Sequence, residues 1–343
     1  MTAISNKSVV FLKHPTDYPV PGEHFAVQTN DLKVDLKDND ILVRNLFISL
    51  DPYMRGKMRN AKSYTPGFKI GKPLDGSGVS EVVESKNASF PIGTIVTGMV
   101  GWEEYTVVAG AKGLRAIPHT PNSKIPLSAY IGVLGMPGLT AYSSLKIIGQ
   151  PKAGETIFIS AASGAVGQLV GQIAKRLGLR VVGSAGSDSK VEYLLKELKF
   201  DAAFNYKTGN ILENLKAAAP EGVDIYYENV GGETLEAALE VMNTHGRIVV
   251  CGMISQYNTQ NPYGVRNLTN IVGKRLTMRG FIASDFAAEC MVDFAKDVGS
   301  WLANGEIIYK EDIAVGLDNA PDTFVGMLQG KNFGKQVVKI ADL

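Results

Sequence analysis

The stretch ETIFISAASGAVGQLVGQIAKRL, residues 155–177, decides how the chain is read. It opens with ETIFIS (155–160), a β-rich apolar run of the kind found in strands buried on both faces. It closes with residues 168–177, whose apolar positions recur at helical spacing and stop before Gly178. Between them lies AASGAVG (161–167), where a dinucleotide-binding phosphate loop belongs. Gly164 would let backbone approach a pyrophosphate, and Gly167 would let the helix pack close to the strand. Ala165 and Val166 stand between these glycines. The helix start would offer N–H groups and the positive end of a dipole to the phosphates. The form is A-x-x-G-x-x-G, short of the full G-x-G-x-x-G, so its weight comes from the strand–loop–helix context. The plainer reading is a tight turn in a sheet that binds something else.

Outward from this stretch the pattern repeats. Residues 180–185 and 202–205 read as a second and third strand, with a helix over 191–198 between them. Residues 223–227 and 247–251 are further strands, separated by a helix over 233–242. This alternation predicts an α/β, Rossmann-type doubly wound parallel sheet. The first 125 residues have a different texture. Short alternating runs at 41–48, 78–83, 94–97 and 102–108 are broken by Gly, Pro, Asn and Asp, which predicts a small, partly closed β-barrel or sandwich. After a helix over 286–303 the β texture returns, and residues 334–340 read as a closing strand. The expected layout is a nucleotide-binding domain at 127–303, inserted into a β domain built from 1–126 and 304–343.

Composition removes other classes. A chain of 343 residues is long enough for two domains, and 45% apolar with 20% charged residues is ordinary for a globular protein. A net charge of +1 without a basic run argues against nucleic acid or an anionic membrane as partner. Two cysteines, Cys251 and Cys290, exclude a disulfide scaffold and a four-cysteine zinc lobe. The N-terminus lacks the pattern of a signal or transit peptide, and no run of about 18 apolar residues occurs. The expectation is a cytoplasmic protein with free thiols.

The candidate chemistry lies after the strands. An enzyme that prefers NAD places an acid at the end of the second strand to hold the ribose. Here that end reads Gly183-Ser-Ala-Gly186, without an acid. A 2′-phosphate fits there without repulsion, and Lys190 and Tyr206 follow closely. A lysine on a phosphate contributes roughly 1.5–3 kcal/mol, about 10- to 100-fold in affinity. NADP(H) is therefore the expected cofactor. A solvated helix residue is the plainer account of Lys190, and Asp188, a possible helix cap, would mildly oppose the phosphate. His14, His24, His119 and His245 form no pair with metal-ligand spacing, so no metal is expected. Tyr257 lies in the loop after residues 247–251, on the edge where such sheets bind ligands. A neutral phenol there could donate to a carbonyl oxygen that gains charge; packing on a neighbour is the alternative. Tyr53, in LDPYMRG (50–56), is read equally as a pocket wall or as domain packing.

Several motifs in order carry a resemblance to a known family: LDPYMRG (50–56), GMPGLTAY (135–142), AASGAVGQ (161–168), AGSDSKV (185–191), FNYK (204–207), ENVGG (228–232), CGMISQYN (251–258) and NFGKQVV (332–338). The chain resembles the zinc-independent medium-chain dehydrogenases/reductases, in the branch of leukotriene dehydrogenase/prostaglandin reductase and 2-alkenal reductase. The resemblance implies a GroES-like β domain plus a Rossmann domain, usually as a homodimer. It implies NADPH-dependent hydride transfer to the β-carbon of an unsaturated aldehyde or ketone. It puts Gly164, Ala165, Val166 and Gly167 at the pyrophosphate, and Lys190 and Tyr206 at the 2′-phosphate. Asn229, Cys251 and Asn332 would contact the cofactor. Met136, Gly138 and Thr140 would line the nicotinamide region, with Met136 also facing substrate. Tyr257 would orient the ribose or the substrate carbonyl, and Tyr53 would face the substrate. Leu74 stands where zinc-dependent relatives have a histidine ligand, and Leu139 departs from the methionine expected there. The fold alone leaves open a zinc-free quinone reductase, a secondary-alcohol dehydrogenase and a catalytically silent NADPH-binding protein.

Overall fold

The computed structural model describes residues 2–118 and 123–343, so His119 lies outside the described residues. The strands in chain order are β1 (Thr2–Phe11), β2 (Phe25–Val34), β3 (Ile41–Ser49), β4 (Asp75–Ser85), β5 (Ile95–Gly101), β6 (Tyr105–Val108), β7 (Arg115–Ala116), β8 (Thr156–Ile159), β9 (Arg180–Ala185), β10 (Ala202–Asn205), β11 (Val223–Glu228), β12 (Met242–Val250), β13 (Thr277–Gly280), β14 (Glu311–Val315) and β15 (Lys335–Lys339). Contacts divide the chain into two units. One is Met1–Gly132 with Glu311–Asn332 and Gln336–Leu343; the other is Val133–Lys310 with Phe333–Lys335.

The first unit holds a seven-stranded sheet in the order β14-β15-β3-β4-β5-β7, with β6 also on β3. Strand β3 pairs antiparallel with β4, β6 and β15. Its core gathers Phe11, Phe25, Met54, Trp102 and Phe324. Trp102 meets Phe324 edge-on at 5.6 Å, a favoured aromatic geometry. Leu74 is fully buried in this core. A separate antiparallel pair, β1–β2, was not expected from sequence. Its middle is polar, Asn30-Asp31 opposite Ser5-Asn6, which hides the alternation that marks a strand.

The second unit holds a six-stranded sheet in the order β10-β9-β8-β11-β12-β13, every pair parallel. All four residues of β8 are buried, as a strand covered on both faces requires. The chain runs outward from β8 in one direction and then from β11 in the other. The strand order therefore reverses beside the residue 160–167 loop, which is where such sheets bind ligands. The helix after β9 spans Asp188–Lys196 and so starts three residues before the expected 191. Ser187 is its N-cap, accepting the Lys190 N–H, and Asp188 is its first residue rather than its cap.

On the amino edge of this sheet, Arg247 donates to both carboxylate oxygens of Glu155 at 2.8 and 2.6 Å. It also donates to the carbonyls of Gly149 and Gln150, joining β12, the start of β8 and the end of a helical segment.

Candidate active site

The carboxyl edge of the parallel sheet carries most of the candidate residues. After β8 the chain turns at Ala161, held at φ 48°, and enters the helix Gly167–Arg176. The Gly164 N–H donates to the Ala161 carbonyl and the Gln168 N–H to the Gly164 carbonyl, both at 3.0 Å, closing a compact loop around Ala165 and Val166. A Cβ on Gly167 would lie 2.6 Å from the Ala161 oxygen and 2.8 Å from the Ala162 Cα. Only glycine lets the helix start this close to the loop backbone. One turn on, a Cβ on Gly171 would strike the Phe200 ring at 2.1 Å, so the helix also lies tight on its neighbours.

At the end of β9 the sequence Gly186-Ser187 presents no acid. Tyr206, half-buried, lies against Gly186: a Cβ there would sit 3.2 Å from the Tyr206 hydroxyl oxygen and ring edge. Burial raises the Tyr206 phenol above its ordinary value. Lys190 sits in the first turn of the helix that Ser187 caps. Asp188 is turned toward β10, where the Asn205 amide donates to its carboxylate at 2.8 Å.

At the end of β11 a polar hub appears that sequence reasoning missed. One carboxyl oxygen of Glu228, Oε1, accepts from the Tyr226 hydroxyl (2.7 Å), Val230 N–H (2.6 Å) and Gly231 N–H (2.9 Å). The Ser160 hydroxyl faces the same oxygen at 3.3 Å. Glu228 is fully buried, and burial pushes its carboxyl up against the opposing pull of these donors. Asn229 is tied to the phosphate loop: its amide donates to the Ser160 carbonyl at 2.7 Å and its N–H to Ser160 Oγ at 2.9 Å. The signal available was Tyr226-Tyr227-Glu228, three residues able to hydrogen-bond at the end of β11, followed two residues later by a pair of glycines. Those glycines, Gly231 and Gly232, have φ of 75° and 57°, where L side chains are strained.

Beyond β12, the Cys251 N–H donates to the Glu228 carbonyl at 2.9 Å. Burial pushes the Cys251 thiol up to about 12. Tyr257 closes the following turn. Its oxygen accepts the Met253 N–H at 3.2 Å, and a Cβ on Gly252 would lie 2.8 Å from it. The helix Met136–Ser144 lies in the same unit. Thr140 Oγ1 donates to the Met136 carbonyl at 2.7 Å and lies 3.4 Å from the Met136 sulfur. A Cβ on Gly138 would come within 1.9 Å of the Val133 oxygen, so no side chain fits there.

Tyr53 and Asn332 belong to the first unit and the other candidates to the second. Tyr53 precedes the short helix Met54–Lys57 and packs on the first unit's core. Burial raises its phenol well above the ordinary value, as do the charges of Asp51 and Asp75. Among the histidines, His14 Nδ1 is bonded to the Met58 carbonyl oxygen at 2.8 Å and His24 Nδ1 accepts the Val20 N–H. No group of three or more His, Cys, Asp or Glu able to hold a metal ion occurs among the described residues. No helix among them is long and apolar enough to cross a membrane.

This geometry meets known proteins along its whole length. A model of the N-terminal domain of oxidoreductases matches residues 7–117, and a model named zinc-binding dehydrogenase matches residues 165–297. The NADP(+)-dependent 2-alkenal reductase of Nicotiana tabacum is 47% identical, with 98% of each chain covered. Prostaglandin reductase 1 of Rattus norvegicus is 43% identical over 98% of this chain and 99% of its own. The crystal structure of CurA from Vibrio vulnificus in complex with NADPH superposes with a TM-score of 0.90 at 39% identity, covering 98% of this chain and 100% of that one. The chain belongs to the zinc-independent medium-chain dehydrogenases/reductases, in the branch that holds the 2-alkenal and prostaglandin reductases.

Proposed function

We propose that the protein is an NADPH-dependent reductase of the C=C bond of α,β-unsaturated aldehydes and ketones. The observation that carries this reading is the carboxyl edge of the parallel sheet. It combines a tight glycine loop, a β9 end without an acid, and a loop tyrosine. The names of the relatives, an NADP(+)-dependent alkenal reductase and a prostaglandin reductase, point the same way.

The residues fit the cofactor. Gly164 to Gly167 would cradle its pyrophosphate, because Gly167 leaves the loop backbone uncovered where a Cβ would stand. Lys190 and Tyr206 would bind the 2′-phosphate. Asn229, held by Ser160, would meet the nicotinamide ribose together with Cys251 and Asn332. Met136, Gly138 and Thr140 would line the nicotinamide pocket. NADPH, when bound, supplies a hydride to the β-carbon of the substrate. The substrate carbonyl oxygen then carries enolate charge until a proton added at the α-carbon completes the saturated carbonyl, and the chain's task is to place a donor at that oxygen. Tyr257 is suited to it. Its oxygen accepts the Met253 N–H, which holds the phenol at the turn after β12, and a neutral phenol can donate to an oxygen that gains charge. Tyr53 and Met136 would each face the substrate. A metal has no part in this scheme, and the buried Leu74 offers no ligand atom. A cytoplasmic location, which the two free thiols fit, and a homodimeric state complete the proposal.

The test is consumption of NADPH, followed by loss of reduced-nicotinamide absorbance, with a panel of enals and enones beside NADH. Turnover that prefers NADPH and yields a saturated carbonyl is expected. Firm NADPH binding without turnover on any enone would sink the reading. Sedimentation equilibrium tests the dimer, and a monomer at micromolar concentration would remove it.

A further inference from the structure

Asp188 is the one acid in residues 180–190, the end of β9 and the start of the helix after it. As the first residue of the helix Asp188–Lys196 it stands close to the β9 end, where a carboxylate would favour ribose hydroxyls and oppose a phosphate. Yet its carboxylate is engaged from the side. Asn205, the last residue of β10, donates from its amide nitrogen to Asp188 at 2.8 Å. The same side chain accepts, through its oxygen, the N–H of Lys207 at 3.1 Å. The two contacts fix the amide orientation, because a carboxylate only accepts and an N–H only donates. One asparagine therefore does two things at once. It holds the acid toward β10, and it shapes the turn that carries Tyr206 and Lys207. Both of those residues stand over Gly186: a Cβ there would lie 3.2 Å from Tyr206 and 3.5 Å from Lys207 Cε. The Lys207 ammonium lies 5.9 Å from the Tyr206 ring centre, and it makes no ion pair with a carboxylate among the described residues.

We propose that Asn205 is a specificity-determining positioning residue, which secures the preference for a 2′-phosphorylated cofactor by restraining Asp188 and seating Lys207 beside Tyr206. The inference rests on the reading of the β9 end as the 2′-phosphate site. Without Asn205, Asp188 is released to swing toward the site. A unit negative charge about 4 Å from the phosphate costs about 1 kcal/mol in water, roughly fivefold in affinity.

The experiment measures binding of adenosine 2′,5′-bisphosphate and of 5′-AMP by calorimetry, so no turnover is involved. The wild-type chain is compared with Asn205→Ala, Asp188→Asn and the double variant. Asn205→Ala is expected to weaken the bisphosphate about fivefold while leaving AMP within error. Adding Asp188→Asn is expected to restore most of that loss, because the released charge is gone. Lys207→Ala is expected to weaken the bisphosphate alone. If Asn205→Ala weakens both nucleotides equally, or if Asp188→Asn restores nothing, Asn205 only supports the turn and the inference is wrong. If the wild-type chain does not prefer the bisphosphate to AMP, the underlying cofactor reading fails instead.

Discussion

The hydroxyl of Tyr257 is held by its own loop and lies close over Gly252. A single donor aimed at a developing oxyanion contributes about 2.7–4 kcal/mol in the best cases. Tyr257→Phe is therefore expected to lower turnover at least several-fold while NADPH affinity changes little. Unchanged turnover would pass the role to the ribose hydroxyl or to another donor. At the other end of the cofactor, Lys190→Ala is expected to weaken NADPH by about 10- to 100-fold and leave NADH unaffected. Equal losses would make Lys190 a residue of the helix only. Gly167 offers a third test. A methyl group there meets backbone at 2.6–2.9 Å, and backbone cannot yield as a side chain does. Gly167→Ala is expected to cost about 1–3 kcal/mol of stability and to abolish measurable NADPH binding. An alanine variant that binds normally would show that the loop can relax. At this scale the sequence was readable where a residue type is forced by geometry, as at Gly167. It gave no role to Glu228 or Ser160, although Glu228 opens the ENVGG motif. Their importance comes from donors brought together from β8, β11 and the turn after it, and no spacing along the chain encodes that meeting.

The elements of the second unit divide their labour between the two edges of one sheet. The carboxyl edge holds short loops, glycines and the candidate chemistry. The amino edge is clamped by the Arg247–Glu155 pair, whose side chains are only 17% and 18% exposed. Burial alone would raise the Glu155 carboxyl. The Arg247 hydrogen bonds and the Lys152 N–H outweigh it, so the carboxyl is held below its ordinary value. A lowered carboxyl stabilises the fold above its unfolded-state value, near 4.3, and that stability is lost as pH falls through the lower folded value. Arg247→Ala is expected to destabilise the protein by roughly 1.5–3 kcal/mol at neutral pH, less in acid. The gap between the thermal melts of the variant and the wild type should narrow as pH falls below about 4 and not vanish, because the bonds to the Gly149 and Gln150 carbonyls do not titrate; a difference independent of pH would exclude the ion pair as a cause. Most strands of this unit were legible because parallel strands buried on both faces read as unbroken apolar runs. The helix Asp188–Lys196 was misplaced by three residues because its start is set by the Ser187 cap and not by apolar periodicity. The pair β1–β2 was missed because its polar middle breaks the alternation that apolar burial writes into a strand.

On the scale of the whole molecule, the nucleotide unit is a continuous stretch apart from Phe333–Lys335, whereas the β unit is assembled from the two ends of the chain. A ligand that binds only the folded state stabilises it by about 2.7 kcal/mol at 100 times its Kd. NADPH is therefore expected to raise the melting temperature, and a chelator to change neither the melt nor turnover. Loss of activity with a chelator would contradict the metal-free scheme. The broad division into a β part and an α/β part was visible in texture alone.

Strand β15 completes the first unit's sheet by pairing Val338 with Ile48 and Val337 with Ser49, nearly three hundred residues away. During synthesis at about 5–20 residues per second, β3 must wait roughly 15–60 s for this neighbour to leave the ribosome. The inserted unit, by contrast, has nearly all of its own residues by Lys310. A nascent chain stalled before Lys335 is thus expected to carry a protease-resistant nucleotide unit and a sheet whose β3 lies uncovered at Phe47–Ser49, a stretch of unpaired strand that a chaperone would meet.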